Sequence, residues 1–463
     1  MKNLQDSVSR IEGDWLGLLR VAGTTLRIVF HFKKQKAAAY LGTMDSPDQS
    51  AFGIPVDTLV VTDTRVTFGV SVAQGEYTGS LSVDSQRMDG RWKQGGLDIP
   101  LVLERMLKPI LPPKRPQTPR GPFPYTQTPV TFPSQHKGVR LSGTLCMPKG
   151  RGPFPGTVLV NGSGQQDQDA AMLSHKPFLV IADQLARAGI ATLRYNDRGL
   201  GRSTGVFADA TSADFADDAE GGVKFLRAHP RIMHNKVGIT GHSEGGLIAP
   251  MVAARMPEVA FLVLLAAPGL VGKEVLQQQS DAIMLASKVP PADRELSQGL
   301  QSLLLTALME NITTDAQHFD KPHFLAQLMP RVATYITAKK LDEKNREALL
   351  KQVSEQAEQL VSPWFRYFLT YDPAPTLQKV TIPVLALYGT KDLQVLAAEN
   401  SKAVQQALRR GNNGRVRVQI LNNLNHLFQH AETGSPAEYG QISETFAPEA
   451  LQAIIRFVKA VLH

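Results

Sequence analysis

Four stretches of the 463-residue chain combine residue types that can make and serve an activated nucleophile. The first is Gly241-His242-Ser243-Glu244-Gly245, a G-x-S-x-G pattern. A serine hydroxyl is a weak nucleophile at neutral pH; it needs a base, and the base needs a carboxylate to orient it. Asp392, in Gly389-Thr390-Lys391-Asp392, and His426, in Asn422-Asn423-Leu424-Asn425-His426, follow in the order serine, acid, histidine. The fourth stretch is Asn161-Gly162-Ser163-Gly164, whose main chain could donate to a developing oxyanion. The chemistry expected is acyl transfer through Ser243, with His426 as base and Asp392 as its orienter. The Ser163 and Glu244 N–H groups are the expected oxyanion donors, with Gly164 the near alternative to Ser163.

Rival assignments exist for several positions. Glu399 could replace Asp392 as the acid. His242 reads as a packing residue of the serine turn, because its side chain should point away from the nucleophile. His430 lies four residues after His426 and could share a helical face with it, a spacing that can bind metal. No third ligand of matching quality accompanies the pair, so no metal is expected. Arg198, in Asp197-Arg198-Gly199-Leu200-Gly201-Arg202-Ser203, is expected to lock neighbouring loops through carboxylates, with a substrate carboxylate as the alternative. No G-x-x-x-x-G-K-[ST] pattern is present, and no organic cofactor is expected.

These residues need a rigid frame, and the chain supplies one after about residue 125. Val130–Phe132 and Leu141–Leu145 look like an opening hairpin. Thr157–Val160 is a short apolar run, as expected of a strand buried on both faces, and Ala191–Tyr195, Lys236–Thr240, Phe261–Leu265, Val384–Tyr388 and Val416–Ile420 read as further strands. Between them, Phe178–Ala188, Ala216–Ala228 and Gly246–Ala254 have helical spacing. Asp217, Asp218 and Glu220 would lie near a helix start, where the macrodipole favours them. Alternation of this kind predicts a mostly parallel sheet covered on both faces. Each candidate residue then follows the carboxyl end of a strand, where sites of such sheets form. Residues 270–375 break the alternation with helical patterns alone and predict a helical cap insertion.

Residues 1–107 read differently. Leu26, Ile28, Phe30 and Phe32 alternate with polar neighbours, and Val66, Phe68, Val70 and Val72 repeat the pattern, as in half-buried strands. Turn signals such as Gly42–Pro47 separate them, so a small all-β barrel or sandwich is expected. Gly13–Gly17 and Gly90–Gln94 look like paired strand openings whose Trp15 and Trp92 plug the interior. Proline-rich residues 108–124 predict a semi-rigid linker, which leaves 125–463 as the catalytic domain.

Composition narrows the function classes. Hydrophobic residues at 43% and charged residues at 20% exclude a disordered chain. The net charge of +8 is dispersed, so no nucleic-acid partner is expected. One cysteine, Cys146, permits no intrachain disulfide and reads as a small apolar strand residue. No apolar run is long enough to span a membrane. Residues Met1–Ser7 lack the apolar core of a signal peptide, so the sequence as it stands reads as cytoplasmic, or as exported if a leader precedes it.

Residues 125–463 resemble the α/β-hydrolase superfamily, in particular bacterial serine carboxylesterases of the serine-aminopeptidase-like branch. The matching stretches are Asn161–Gly164, Asp197–Ser203, Gly241–Gly246, Gly389–Asp392 and Asn425-His426. The resemblance implies a Ser243–His426–Asp392 triad and cleavage of small-molecule carboxylic esters without metal or cofactor. Asn161 is a departure: many members carry His there. A serine aminopeptidase or amidase is the runner-up and would need a carboxylate for the substrate amine, such as Glu310. A non-catalytic binding module is the reading from outside enzymes.

Overall fold

The computed structural model describes residues 10–21, 24–34, 40–47, 51–62, 64–73, 75–94, 97–107, 114–312, 319–339 and 342–462. The reading of Met1–Ser7, and the Lys108–Pro113 part of the proline-rich stretch, lie outside the described residues. The chain divides into two compact units: residues 1–116 with 172–175, and residues 117–171 with 176–463.

The first unit is a nearly closed antiparallel sheet of nine strands. They are β1 (Gly13–Val21), β2 (Thr24–Lys34), β3 (Tyr40–Ser46), β4 (Ala51–Val56), β5 (Thr58–Thr62), β6 (Arg65–Val70), β7 (Gly75–Leu81), β8 (Arg87–Gln94) and β9 (Leu97–Arg105), in the order β4-β3-β2-β1-β9-β8-β7-β6-β5. Trp15, Phe30, Phe32, Phe68, Tyr77 and Trp92 are buried together and fill the interior. Two expectations need correction. Residues 42–46 continue strand β3 instead of turning, because their register against β2 extends Gly42↔Phe32 to Asp45↔Val29. The stretches holding Trp15 and Trp92 are not paired with each other; β1 pairs with β2 and β9, and β8 with β7 and β9.

The second unit holds an eight-stranded sheet in the order β10-β11-β13-β12-β14-β15-β16-β17. Its strands are β10 (Tyr125–Pro133), β11 (Arg140–Pro148), β12 (Phe154–Val160), β13 (Ala191–Tyr195), β14 (Ile232–His242), β15 (Leu262–Leu265), β16 (Val384–Gly389) and β17 (Val416–Leu421). Only the β10–β11 and β11–β13 pairs are antiparallel. Helices α1 (Pro177–Arg187), α2 (Ser212–Ala228), α3 (Gly245–Arg255), α10 (Ala397–Arg410) and α11 (Pro448–Leu462) cover the sheet, and two buried clusters lie against its faces. Between β15 and β16 run α4 (Gly272–Ala286), α5 (Pro291–Asn311), α6 (Lys321–Ala338), α7 (Glu343–Leu360), α8 (Pro363–Thr370) and α9 (Ala374–Leu377). The first five share a core of their own that includes Leu304, Leu308, Phe324, Leu328 and Phe365.

The α2 start is earlier than its apolar pattern suggested. A capping box formed by Thr211 and Asp214 opens the helix at Ser212, so Asp217, Asp218 and Glu220 lie beyond its first turn.

Sheet order determines what meets at the carboxyl edge. The chain passes from β12 to β13 on one side and then to β14 on the other, which makes the end of β12 the switch point. Val160 pairs with Gly241, so the segments leaving β12 and β14 start side by side. Gly389 of β16 likewise pairs with Leu421 of β17, and Lys391 N–H donates to the Leu424 carbonyl.

Candidate active site

Ser243 stands between β14 and α3 with φ of 54°, a left-handed conformation that costs an ordinary residue about 1–3 kcal/mol. The surroundings enforce it. The Ser243 N–H is tied to the Leu265 carbonyl at 2.8 Å, and the Gly246 N–H returns to the Ser243 carbonyl at 2.8 Å. A Cβ on Gly245 would collide with the Val160 carbonyl oxygen, so only glycine lets α3 begin this close to β12. The loop after β12 crosses directly over the turn: a Cβ on Gly162 would lie 3.1 Å from Ser243 Cβ.

Asp392 and His426 come together from the ends of β16 and β17. His426 Nδ1 is 2.8 Å from Asp392 Oδ2, and both side chains are buried. Asp392 Oδ1 accepts the N–H groups of Gln394 and Val395 at 2.8 and 2.9 Å, so the carboxylate has a fixed orientation. Asn425 shapes the histidine turn, its Oδ1 accepting the Leu427 and Gln429 N–H groups at 3.0 Å each. Glu399 is exposed in the first turn of α10, whereas Asp392 holds the histidine.

His242 packs its ring 4.8 Å from the His426 ring, and its Nε2 lies 2.8 Å from the His426 carbonyl oxygen. Burial and the neighbouring His426 push its pKa down to about 4, so the ring is neutral near pH 7 and donates that bond. The structure thus makes His242 a support for the histidine turn, a contact that sequence spacing does not reveal. His430 is not on a helix with His426; it lies in a turn, bridged to Leu424, with Nδ1 2.9 Å from Glu444 and Nε2 3.0 Å from Glu449.

Neither the Ser163 nor the Glu244 main-chain N–H has an acceptor among the described residues, while the Ser243 N–H is occupied. The loop that carries Ser163 is latched to the segment after β13. Asp197 accepts from Asn161 Nδ2 at 3.1 Å and from the Gln166 N–H at 2.7 Å. Burial raises the Asp197 pKa to about 7, against the lowering effect of those donors. Arg198 makes a buried two-pronged pair with Asp218 at 2.8 and 2.9 Å and donates to the Asp214 carbonyl at 2.8 Å. Its Nε and Nη2 donors are spent on the protein, in line with a locking role. Glu310 is exposed and paired with Arg331 at 2.6 Å.

A switch-point sheet with a strand–turn–helix serine and a neighbouring acid–histidine pair defines an α/β hydrolase. Within that class the chain belongs to the serine aminopeptidase, S33, family, whose model matches residues 175–432, more than half of its length. A curated relative, Esterase EstD of Thermotoga maritima, is 28% identical over 302 residues, covering 65% of this chain and 61% of its own. The chain therefore spans about three-fifths of that relative's length. Among solved structures, the Pyrococcus furiosus esterase Pf2001 aligns at 13% identity with a TM-score of 0.44, over 77% of this chain and all of that one. Proline iminopeptidase of Mycobacterium smegmatis aligns at 14% and 0.42, over 72% and 98%. Structural likeness at that level adds no argument about activity.

Proposed function

We propose that the protein is a serine carboxylesterase with Ser243 as nucleophile, His426 as base and Asp392 as orienter. The observation that carries this reading is the buried Asp392–His426 bond at the same sheet edge as the strained Ser243 turn. Ser243 Oγ attacks the ester carbonyl carbon and passes its proton to His426. The carbonyl oxygen becomes an oxyanion and accepts the Ser163 and Glu244 N–H groups. Collapse breaks the bond to the alkoxy group, which leaves as alcohol with the proton from His426. Water then attacks the acyl-enzyme, gives a proton to His426 and releases the acid, and the proton returns to Ser243. The esterase name of the Thermotoga relative supports an ester substrate. The helical segment α4–α8 is proposed as a cap, and residues 1–107 as a domain that contributes no atom to the chemistry.

The family's aminopeptidase description favours one second reading, a peptidase of the same fold. Glu310 does not help it, since Arg331 occupies that carboxylate. Turnover of 4-nitrophenyl esters of graded acyl length, run beside aminoacyl 4-nitroanilides, decides between the two. The esterase reading expects ester turnover with arylamides slower by orders of magnitude. Faster cleavage of an aminoacyl anilide would replace it with the peptidase.

A further inference from the structure

The Glu244 side chain is a buried acid of the site, and the mechanism above uses only its main chain. It is buried at the start of α3, immediately after the proposed nucleophile. Its Oε1 accepts two donors from distant elements: the Ser212 hydroxyl, at the start of α2, at 2.6 Å, and Trp364 Nε1, on α8, at 2.8 Å. Ser163, on the loop after β12, is the third polar neighbour of the carboxyl. Oε2 is buried and has no hydrogen-bond partner of good geometry among the described residues.

A buried polar atom without a partner costs about 1–3 kcal/mol, so this arrangement calls for a reason. The Ser163 hydroxyl, the remaining polar neighbour, is placed to complete the hydrogen bonding of the carboxyl. Burial raises the Glu244 pKa, against the lowering effect of its Ser212, Trp364 and Ser163 neighbours. The group then touches both proposed oxyanion donors: it belongs to one residue and its side chain meets the other. Trp364 adds a link from the helical segment.

We propose that the Glu244 side chain is a positioning residue for the oxyanion hole, tying the Ser163 loop, the α2 start and Trp364 of α8 to the turn that presents the Glu244 N–H. The proposal rests on the esterase reading and deepens it. A donor pair is effective only when fixed beforehand at the place where charge will develop. Loosening its tether should weaken the transition state and leave ground-state binding alone.

The test uses the full-length enzyme and the variants E244A, E244Q and W364F. Three quantities are read: kcat and KM for 4-nitrophenyl acetate, the inhibition constant of an aryl trifluoromethyl ketone, and the Ser243 titre with a fluorophosphonate. The ketone forms a tetrahedral adduct with the serine, so it reports the oxyanion hole directly. E244A is expected to lower kcat about 100-fold, a loss of the size seen when one oxyanion donor is removed. KM should stay within about threefold, and the ketone should weaken by the same factor as kcat. E244Q keeps a carbonyl acceptor and places an N–H donor at Oε2, and should recover most of the loss. W364F should lower kcat about tenfold with a matching loss for the ketone, as for one missing hydrogen bond, and it carries the test if E244A does not fold. The proposal is overturned if folded E244A keeps its kcat, if kcat falls while the ketone binds as before, or if E244Q is no better than E244A. A wild-type chain that takes up no fluorophosphonate would instead remove the nucleophile assignment, and this proposal with it.

Discussion

Two half-buried groups beside the site have ionisations displaced in opposite directions. Asp197 is raised to about 7 and His242 lowered to about 4, both chiefly by burial. For Asp197 the folded pKa exceeds the unfolded one, so its contribution to stability is complete below about pH 4 and fades as pH rises through 7. For His242 the folded value is the lower, so its contribution is present above about pH 6.5 and fades as pH falls toward 4. Between about pH 4 and 6.5 the two slopes oppose each other. Asp197→Asn removes one of them, and the variant should lose stability on acidification more steeply than wild type. Urea midpoints across pH 4–8 measure this, and parallel curves for the two proteins would contradict it. Asp392→Asn is a second test at this scale. Oδ1 could keep its two main-chain donors, but an amide NH₂ would replace Oδ2 and oppose the His426 Nδ1–H. A loss of about 10⁴ in kcat with the fold intact is expected from the wrong tautomer. A nearly silent Asp392→Asn beside a crippled Glu399→Gln would move the acid to α10.

At the level of elements, the approach of the β12 loop to the serine turn is the contact that matters most. A methyl group at Gly162 would sit 3.1 Å from Ser243 Cβ and 3.2 Å from the His242 carbonyl oxygen. Gly162→Ala should shift the loop by a few tenths of an ångström, lower kcat at least tenfold and change the unfolding midpoint little, since a small misplacement is costly to chemistry. Unchanged kcat would place the oxyanion donors elsewhere. Arg198→Ala should act on stability instead. It leaves the buried Asp218 without its pair, a change expected to cost about 3–5 kcal/mol in chemical denaturation. The central strands were legible because each is a short apolar run buried on both faces. The start of α2 was not: the helix begins with polar Ser212 and Asp214, whose role lies in capping and leaves no trace in an apolar pattern. The turn around His426 was misread in part for a related reason. The His426–His430 spacing suits a helix, but Asn425 draws the Leu427 and Gln429 N–H groups to its side chain and forms a tight turn.

For the whole molecule, the triad candidates were legible because each follows a strand end in the required order, and sheet order does the rest. Contacts between distant segments had no sequence signal. Trp364 reaches Glu244 across 120 residues, and His242 reaches the His426 carbonyl across 184. The same holds for Gln117, which accepts the Thr445 and Phe446 N–H groups and donates to the Phe446 carbonyl. A chain starting at Gln117 should therefore keep a reactive Ser243, whereas one starting at Gly121 should be less stable by about 1–3 kcal/mol. Denaturant titration with fluorophosphonate labelling of both proteins checks this, and loss of labelling in the folded, monodisperse Gln117 chain would show that residues 1–116 help build the site. The central claim, that Ser243 is an activated nucleophile, has a more direct test in the full-length chain. Intact mass is measured after treatment with a fluorophosphonate, and the modified residue is mapped by peptide sequencing. One adduct per chain on Ser243 is predicted, absent from a folded Ser243→Ala variant that also fails to turn over 4-nitrophenyl acetate. An adduct on another residue, or full ester turnover by Ser243→Ala, would contradict the account.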